Sequence, residues 1–266
     1  MDILSHTCSG LAIATVVAGF SQGGVKEKAT IVFCGLLGGA LPDIDAISMW
    51  SGFDSTIGAF FGLEESGFDI YFGKHWYSHH GATHSLFFGL LYVFVWSVLR
   101  QLIKRSFQWK TWIRGIQSRM AFTTAFLLGY YIHLLEDLPT PAYVWDGIDL
   151  FYPFGSYVGG SDQIWWWNNY DLFLIICAVI VVNAIINILP LFKRKLKGIL
   201  DASIFRIGCV LFLYQINTRE TVLKYTEYES QYPGLEAHSK EVQKEILGER
   251  IFNAMEKLDD ALPVFF

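Results

Sequence analysis

Charge is scarce in this chain. Only 17% of its 266 residues are Asp, Glu, Lys or Arg, against roughly 25% in an average soluble domain. With 53% hydrophobic residues and a mean hydropathy of +0.35, that shortage excludes an ordinary water-soluble globule. Low-complexity tracts are absent and aromatics reach 17%, which excludes disorder, collagen and coiled coil. Cysteine is sparse as well: Cys8, Cys34, Cys177 and Cys209 stand singly in apolar surroundings with no CxxC. They read as small buried hydrophobes, not as a disulfide frame or thiolate metal site. A net charge of −5 leaves no basic excess for a nucleic-acid surface spread over the molecule.

Long apolar runs are what the chain has instead. A bilayer-crossing helix needs about 20 mostly apolar residues. Five segments reach or approach that: Ile3 to Phe20, Ala29 to Ile47, Leu86 to Ile103, Met120 to Leu138 and Leu172 to Phe192. A sixth, Ile199 to Ile216, carries Asp201 and Arg206 and reads as a weaker span or an interfacial helix. The first run opens with Asp2 instead of a basic residue and lacks a clear cleavage site, so it does not read as a signal peptide. The expected fold is all-α: an integral membrane bundle of five or six spans over 1–217, then a small soluble, mainly helical tail over 218–266. The tail shows helical apolar spacing at Val242, Ile246, Ile251, Met255 and Leu258. Its apolar end, Pro263-Val-Phe-Phe266, is unusual for a free terminus and leaves a further segment open.

Twelve of the 20 basic residues sit in three short stretches: Lys26 and Lys28; Arg100, Lys104, Arg105, Lys110, Arg114 and Arg119; Lys193, Arg194, Lys195 and Lys197. The positive-inside rule makes these cytoplasmic. The N-terminus and segments 48–85 and 138–171 then face outward, with Tyr152, Tyr157 and Trp165 to Trp167 as an aromatic belt. The tail lies outside if Ile199 to Ile216 spans, and inside if it does not.

Six of the seven histidines gather at the outward ends of spans: His6; His75, His79, His80 and His84; and His133. Asp2, Asp43, Asp45, Glu136 and Asp137 fall at the same level. Ionisable groups at span edges are costly and point to function by default. Asp2 and His6 are four apart, as are His133 and Asp137, so each pair shares a helix face. Mixed His and Asp ligands without Cys suit zinc, manganese or iron, and carboxylate-rich subsites suit magnesium. Six or more ligands exceed one tetrahedral ion, so two or three divalent ions, zinc first, are expected. Each residue also has a plainer role: a hydrogen-bonded interfacial histidine, or a polar helix stop at Pro42-Asp43. His75 and His238 read as surface residues. Loop 48–78 is a lid over the site or merely a long outer loop. Asp146, Asp149 and Asp162 read as solvated before they read as ligands.

The ordered motifs Asp2-Ile-Leu-Ser-His6, Gly39-Ala-Leu-Pro-Asp-Ile-Asp45, His79-His-Gly-Ala-Thr-His-Ser85, Gly129-Tyr-Tyr-Ile-His-Leu-Leu-Glu-Asp137 and Pro153-Phe154 resemble a known family. The chain looks like the YdjM-type proteins, membrane-bound metal-dependent hydrolases also described as LexA-binding and inner-membrane-associated. The likeness covers about residues 1–192. His80 stands where the family usually has Arg, and Ile132 where it has Ser. The resemblance implies that His79 and His84 are ligands, whereas helical spacing alone pairs His80 with His84. It implies hydrolase activity; an outward site on an acidic chain gives the LexA label no support.

The expectation is a multi-pass plasma (inner) membrane hydrolase with an extracytoplasmic His/Asp centre. The metal set is Asp2, His6, Asp43, Asp45, His79, His84, His133 and Asp137, and Glu136 or Asp45 serves as general base. Its partners are the lipid bilayer and a lipid-like ester or phosphoester substrate, with no nucleic acid. Two alternatives stand beside it: a metal-ion transporter or sensor, and a membrane scaffold with a structural metal. A transporter needs polar groups continuing toward the inner side, where only Ser97, Thr123, Thr124 and Asn183 stand out.

Overall fold

A computed structural model of the chain describes residues 2–103, 112–113, 115, 117–141, 145–161, 163–165, 168–219 and 228–262. Seven long helices dominate it: α1 (Ile3–Phe20), α2 (Val25–Ala40), α3 (Leu86–Ile103), α4 (Met120–Asp137), α5 (Tyr170–Ile188), α6 (Arg194–Thr218) and α7 (Tyr228–Ala261). The described residues contain no strand beyond the isolated bridge between Ile148 and Val158. The fold is an all-α membrane bundle.

Among the described residues four helices, α1, α3, α5 and α6, are long and apolar enough to cross a membrane by length and composition. The expected span Ala29 to Ile47 is a bent pair. Helix α2 stops at Ala40, and the chain turns by 57° into a 3-10 helix, Pro42–Met49. Pro42 stands at the break, where it has no backbone N–H to continue the ladder. Counting the pair as one span makes five. Helix α4 carries His133, Glu136 and Asp137 in its last turns and is not among those four. Helix α6 runs from Arg194 to Thr218, so the weak sixth run is one continuous 25-residue helix.

Helix α1 is central and packs on α2, α4, α5 and α6. Its small residues Ser9, Gly10, Ala12, Ala14 and Ala18 are buried, and small residues let membrane helices approach closely. A Cβ on Gly39 would overlap the His6 carbonyl, and one on Gly129 would overlap the Gly35 carbonyl. These two contacts draw α1, α2 and α4 together where their histidines meet. Among the long helices, α3 packs chiefly on α4.

The tail docks on the bundle. Helix α7 is broken at Gly248, whose φ is 73°. Phe252 and Met255 pack with Tyr170 and Phe173, and Leu4 and Cys8 of α1 close the cluster. Tyr170 Oη donates to Asp259 Oδ2 at 2.6 Å, and Gln243 Nε2 donates to Asp171 Oδ1 at 2.9 Å. Arg219, at the end of α6, pairs with buried Asp171 at 3.1 Å. The tail therefore sits at the same end of the bundle as the N-terminus of α1. Trp165 is not an interfacial anchor: it is 1% exposed, with the Arg219 guanidinium 4.3 Å from its ring centre. Trp166 and Trp167 lie outside the described residues. The four cysteines are free and half-buried.

Candidate metal centre

Three elements meet at the end of the bundle where α1 begins. Helix α1 brings His6, the bend after α2 brings Asp43 and Asp45, and the last turns of α4 bring His133, Glu136 and Asp137. The fourth contribution is the turn before α3, which carries His79, His80 and His84. His84 and His133 are fully buried, and His6 is 1% exposed.

Hydrogen bonds fix the ring orientations. His133 Nδ1 is 2.7 Å from the Gly39 carbonyl, which can only accept. The ring therefore donates from Nδ1 and turns Nε2 inward. That nitrogen lies 3.0 Å from Asp137 Oδ2, 3.5 Å from Asp43 Oδ1 and 3.3 Å from His84 Nε2. His84 Nε2 is in turn 3.4 Å from Asp43 Oδ1 and 3.6 Å from Asp137 Oδ2. A bare nitrogen lone pair facing two carboxylate oxygens is repulsive unless positive charge lies among them.

These four atoms form a close cluster. Five of the six distances among them run from 3.0 to 3.6 Å. Three donors about 3.4 Å apart, as in His84, His133 and Asp43, share a point about 2.0 Å from each, the bond length such donors make to zinc or magnesium. The donor set and its spacing fit a small divalent ion.

This cluster is the middle of a longer array. Four groups of three side chains bring donor atoms within 4.8 Å of one another: His6 with His133 and Asp137; Asp43 with His84 and His133; Asp43 with Asp45 and His79; His79 with His80 and His84. At one end, His6 Nε2 is 3.1 Å from Asp137 Oδ1, and His6 Nδ1 is 2.9 Å from Glu136 Oε2. The His6 ring stacks on His133 with centres 3.9 Å apart. At the other end, His79 Nδ1 donates to Asp45 Oδ1 at 2.9 Å, and Thr83 Oγ1 donates to Asp45 Oδ2 at 2.9 Å. Carboxylates that hold an imidazole this way commonly orient metal-binding histidines.

The 79–84 turn is tightly built. A Cβ on Gly81 would crowd the carbonyls of His75, Trp76 and Ser78. His80 takes a left-handed backbone with φ of 62°, and its Nδ1 donates to the Gly147 carbonyl at 3.0 Å. Burial, then the neighbouring His79 and His84, hold His80 well below the ordinary histidine range. Burial also lowers His84 against its bond to Asp43. For His79, burial is outweighed by the charge and hydrogen bond of Asp45, and the net shift is upward. Tyr130 Oη anchors the turn by donating to the Thr83 carbonyl.

Seven of the sequence candidates converge here: His6, Asp43, Asp45, His79, His84, His133 and Asp137. Glu136 adjoins them through His6. Asp2 stands apart. Its Oδ1 accepts from the Ser5 N–H at 2.8 Å and its Oδ2 from the Ser5 hydroxyl at 2.7 Å, so it caps α1. His75 and His238 are exposed. Asp146 pairs with Lys74 at the surface, and Asp162 lies outside the described residues. Segment 48–78 folds into short helices, of which Gly67–Phe72 places Tyr71 on the His79 ring at 4.4 Å. Trp145 lies against His80 at 4.7 Å. His80, which the resemblance leaves out of the ligand set in favour of His79, stands with His79 and His84. Thr83 and Gly39 lay inside the sequence motifs without a stated role. Tyr71 and Trp145 had no spacing signal at all.

No curated protein and no solved structure matches the chain. The family model for the YdjM inner membrane protein matches residues 1–220, a stretch that holds every residue of the array and the five candidate spans. The chain belongs to the YdjM inner membrane protein family.

Proposed function

We propose that the chain is a membrane-bound metal-dependent hydrolase that cleaves an ester or phosphoester of a lipid-like substrate. The observation that carries this reading is the buried cluster of His84, His133, Asp43 and Asp137, extended on both sides by further His and Asp donors. Two or three divalent ions, zinc first, are held by His6, Asp43, His79, His84, His133 and Asp137. Bound ions of this kind stabilise a developing oxyanion and make water a better nucleophile. Asp45 and Glu136 are positioning residues, because each holds a histidine by a hydrogen bond. His80 is the candidate proton acceptor: its Nδ1 is tied to a carbonyl and its environment favours the neutral ring. Tyr71, Phe72 and Trp145 stack over this side and exclude water. The site stands at the ends of apolar helices, where a lipid-linked substrate arrives by lateral diffusion. By the positive-inside rule this end is extracytoplasmic.

Elemental analysis of detergent-purified protein, with His84→Ala and His133→Ala beside the wild type, tests the centre. Two or more tightly bound ions, lost in both variants, are expected. Absence of stoichiometric metal without chelators sinks the mechanism. Screening phosphoesters and lipid esters with His80→Ala then separates catalysis from a structural metal. In the hydrolase, His80→Ala keeps its metal and loses turnover.

Metal transport is the second reading, and one observation favours it. The basic end of the bundle is not purely apolar. Asn183 Nδ2 donates to Thr15 Oγ1 at 2.8 Å, and Asn187 Nδ2 donates to buried Asp201 at 2.6 Å. Lys28 continues the row to Asn187 at 2.9 Å. Metal uptake into proteoliposomes, abolished by Asp201→Asn, would favour transport over hydrolysis.

A further inference from the structure

At the end of the bundle opposite the metal centre, two arginines share one indole. The guanidinium carbons of Arg100 on α3 and Arg119, just before α4, each lie 5.8 Å from the centre of the Trp96 ring. Arg119 also faces Phe122 at 5.9 Å. Among the described residues neither arginine has a carboxylate within ion-pair distance. The stretch from Arg100 to Arg119 contains no acid in the sequence, so none of its other residues supplies one. Two half-buried like charges beside one ring call for an anion.

An apolar slot begins at the same place. Helix α3 leans on α4 and leaves a cavity of about 330 Å³ between itself and α2. Cys34 and Leu37 form one wall, Trp96 and Leu99 the other, and Phe122 and Phe126 the floor. Trp96 and Thr123 line both this slot and the small cleft that holds the two arginines. Arg100 and Arg119 each stand one helical turn beyond those shared residues. The slot lies along the apolar length of α2 and α3, at the depth of hydrocarbon chains.

We propose that this end of the protein binds an anionic phospholipid, its phosphate on Arg100 and Arg119 and one acyl chain in the slot. Charge complementarity selects the headgroup, since basic pockets between membrane helices attract anionic lipids. Arginine matches phosphate with paired donors. The apolar slot, continuous with the charged cleft, selects a lipid over free phosphate. The assignment is independent of the metal centre and of the reaction proposed there.

Native mass spectrometry of the full chain in detergent tests it, with phosphatidylglycerol and phosphatidylcholine of equal chain length in competition. The wild type should retain phosphatidylglycerol roughly tenfold over phosphatidylcholine. Arg100→Gln with Arg119→Gln should bring the two to parity, and Thr123→Trp should reduce both by filling the slot. Arg100→Lys with Arg119→Lys should keep the preference for the anionic lipid, which guards against misfolding of the glutamine variant. Equal retention of both lipids by the wild type overturns the proposal. So does an unchanged preference in the glutamine variant. Displacement of the lipid by glycerol phosphate at equal concentration also overturns it, because the slot would then add nothing.

Discussion

Asp45 and Asp2 show how two carboxylates at the same level of a bundle take different work. Asp45 spends both oxygens on the histidine turn, one on His79 and one on Thr83. Asp2 spends both on Ser5. Asp2→Ala should therefore cost about 1 kcal/mol of stability, the usual loss of an N-cap, with metal content unchanged. Thermal unfolding beside elemental analysis checks both halves. Asp45→Asn should keep the fold and weaken metal binding by roughly 10- to 100-fold, the usual cost of losing a partner that orients a ligand. Isothermal titration reads that loss directly. The pH dependence follows from the same residues. Ligand histidines bind metal only when deprotonated, and Asp45 shifts His79 upward. Binding should release protons near neutrality, and affinity should fall as pH drops from about 7.5 to 5.5. Titration in two buffers of different ionisation enthalpy counts those protons.

At the scale of the element, the bend after α2 and the glycine contacts assemble the centre. Pro42 ends α2 and turns Asp43 and Asp45 toward the 79–84 turn. Gly39 gives its carbonyl to His133 and has no room for a Cβ beside His6. Gly39→Val should separate α1 from α2 and abolish metal binding without removing any ligand. Loss of stoichiometric metal in a variant that still purifies as a monodisperse species is the expected result. The tail helix works differently. It packs on α5 and on Leu4 and Cys8, close in sequence to His6. Phe252→Ala should cost about 3 kcal/mol or more, the range for truncating a buried aromatic, and unfolding midpoints report it. Much of this scale was legible beforehand. Two predicted runs, Ile3 to Phe20 and Leu86 to Ile103, coincide with α1 and α3, because a continuous apolar stretch in a bilayer has no alternative to a helix. The end of α2 was legible as a polar stop at Pro42-Asp43, but the 57° bend that follows it was not.

For the whole molecule, charge is sorted between two ends. The carboxylates and histidines of the centre lie at one end, and Arg100 and Arg119 lie at the other. If the metal holds the first end together, chelation should lower the unfolding midpoint, and added metal should restore it in a concentration-dependent way. A midpoint indifferent to chelator would show that the helices close without the ion. The docked tail belongs to this scale too. Arg219 and Asp171 form a buried pair at the metal end, so α6 returns the chain to the face from which α1 started.

The membrane class, the helical fold and most of the candidate donors were determined by the sequence alone. Each depends on composition or on local spacing: apolar length makes a helix, and His133 with Asp137 share a face wherever that helix lies. Only the tertiary structure decided which donors meet. Asp2 and Asp45 are both acids at the level of the histidines, yet one caps a helix and the other holds the His79 ring. His80 was discounted in sequence and stands inside the array. The tail, which composition reads as soluble, lies against α5. Distances between segments far apart in the chain are set by close packing at Gly39, Gly129 and Gly81, and that packing leaves no periodic signal in the residues it brings together.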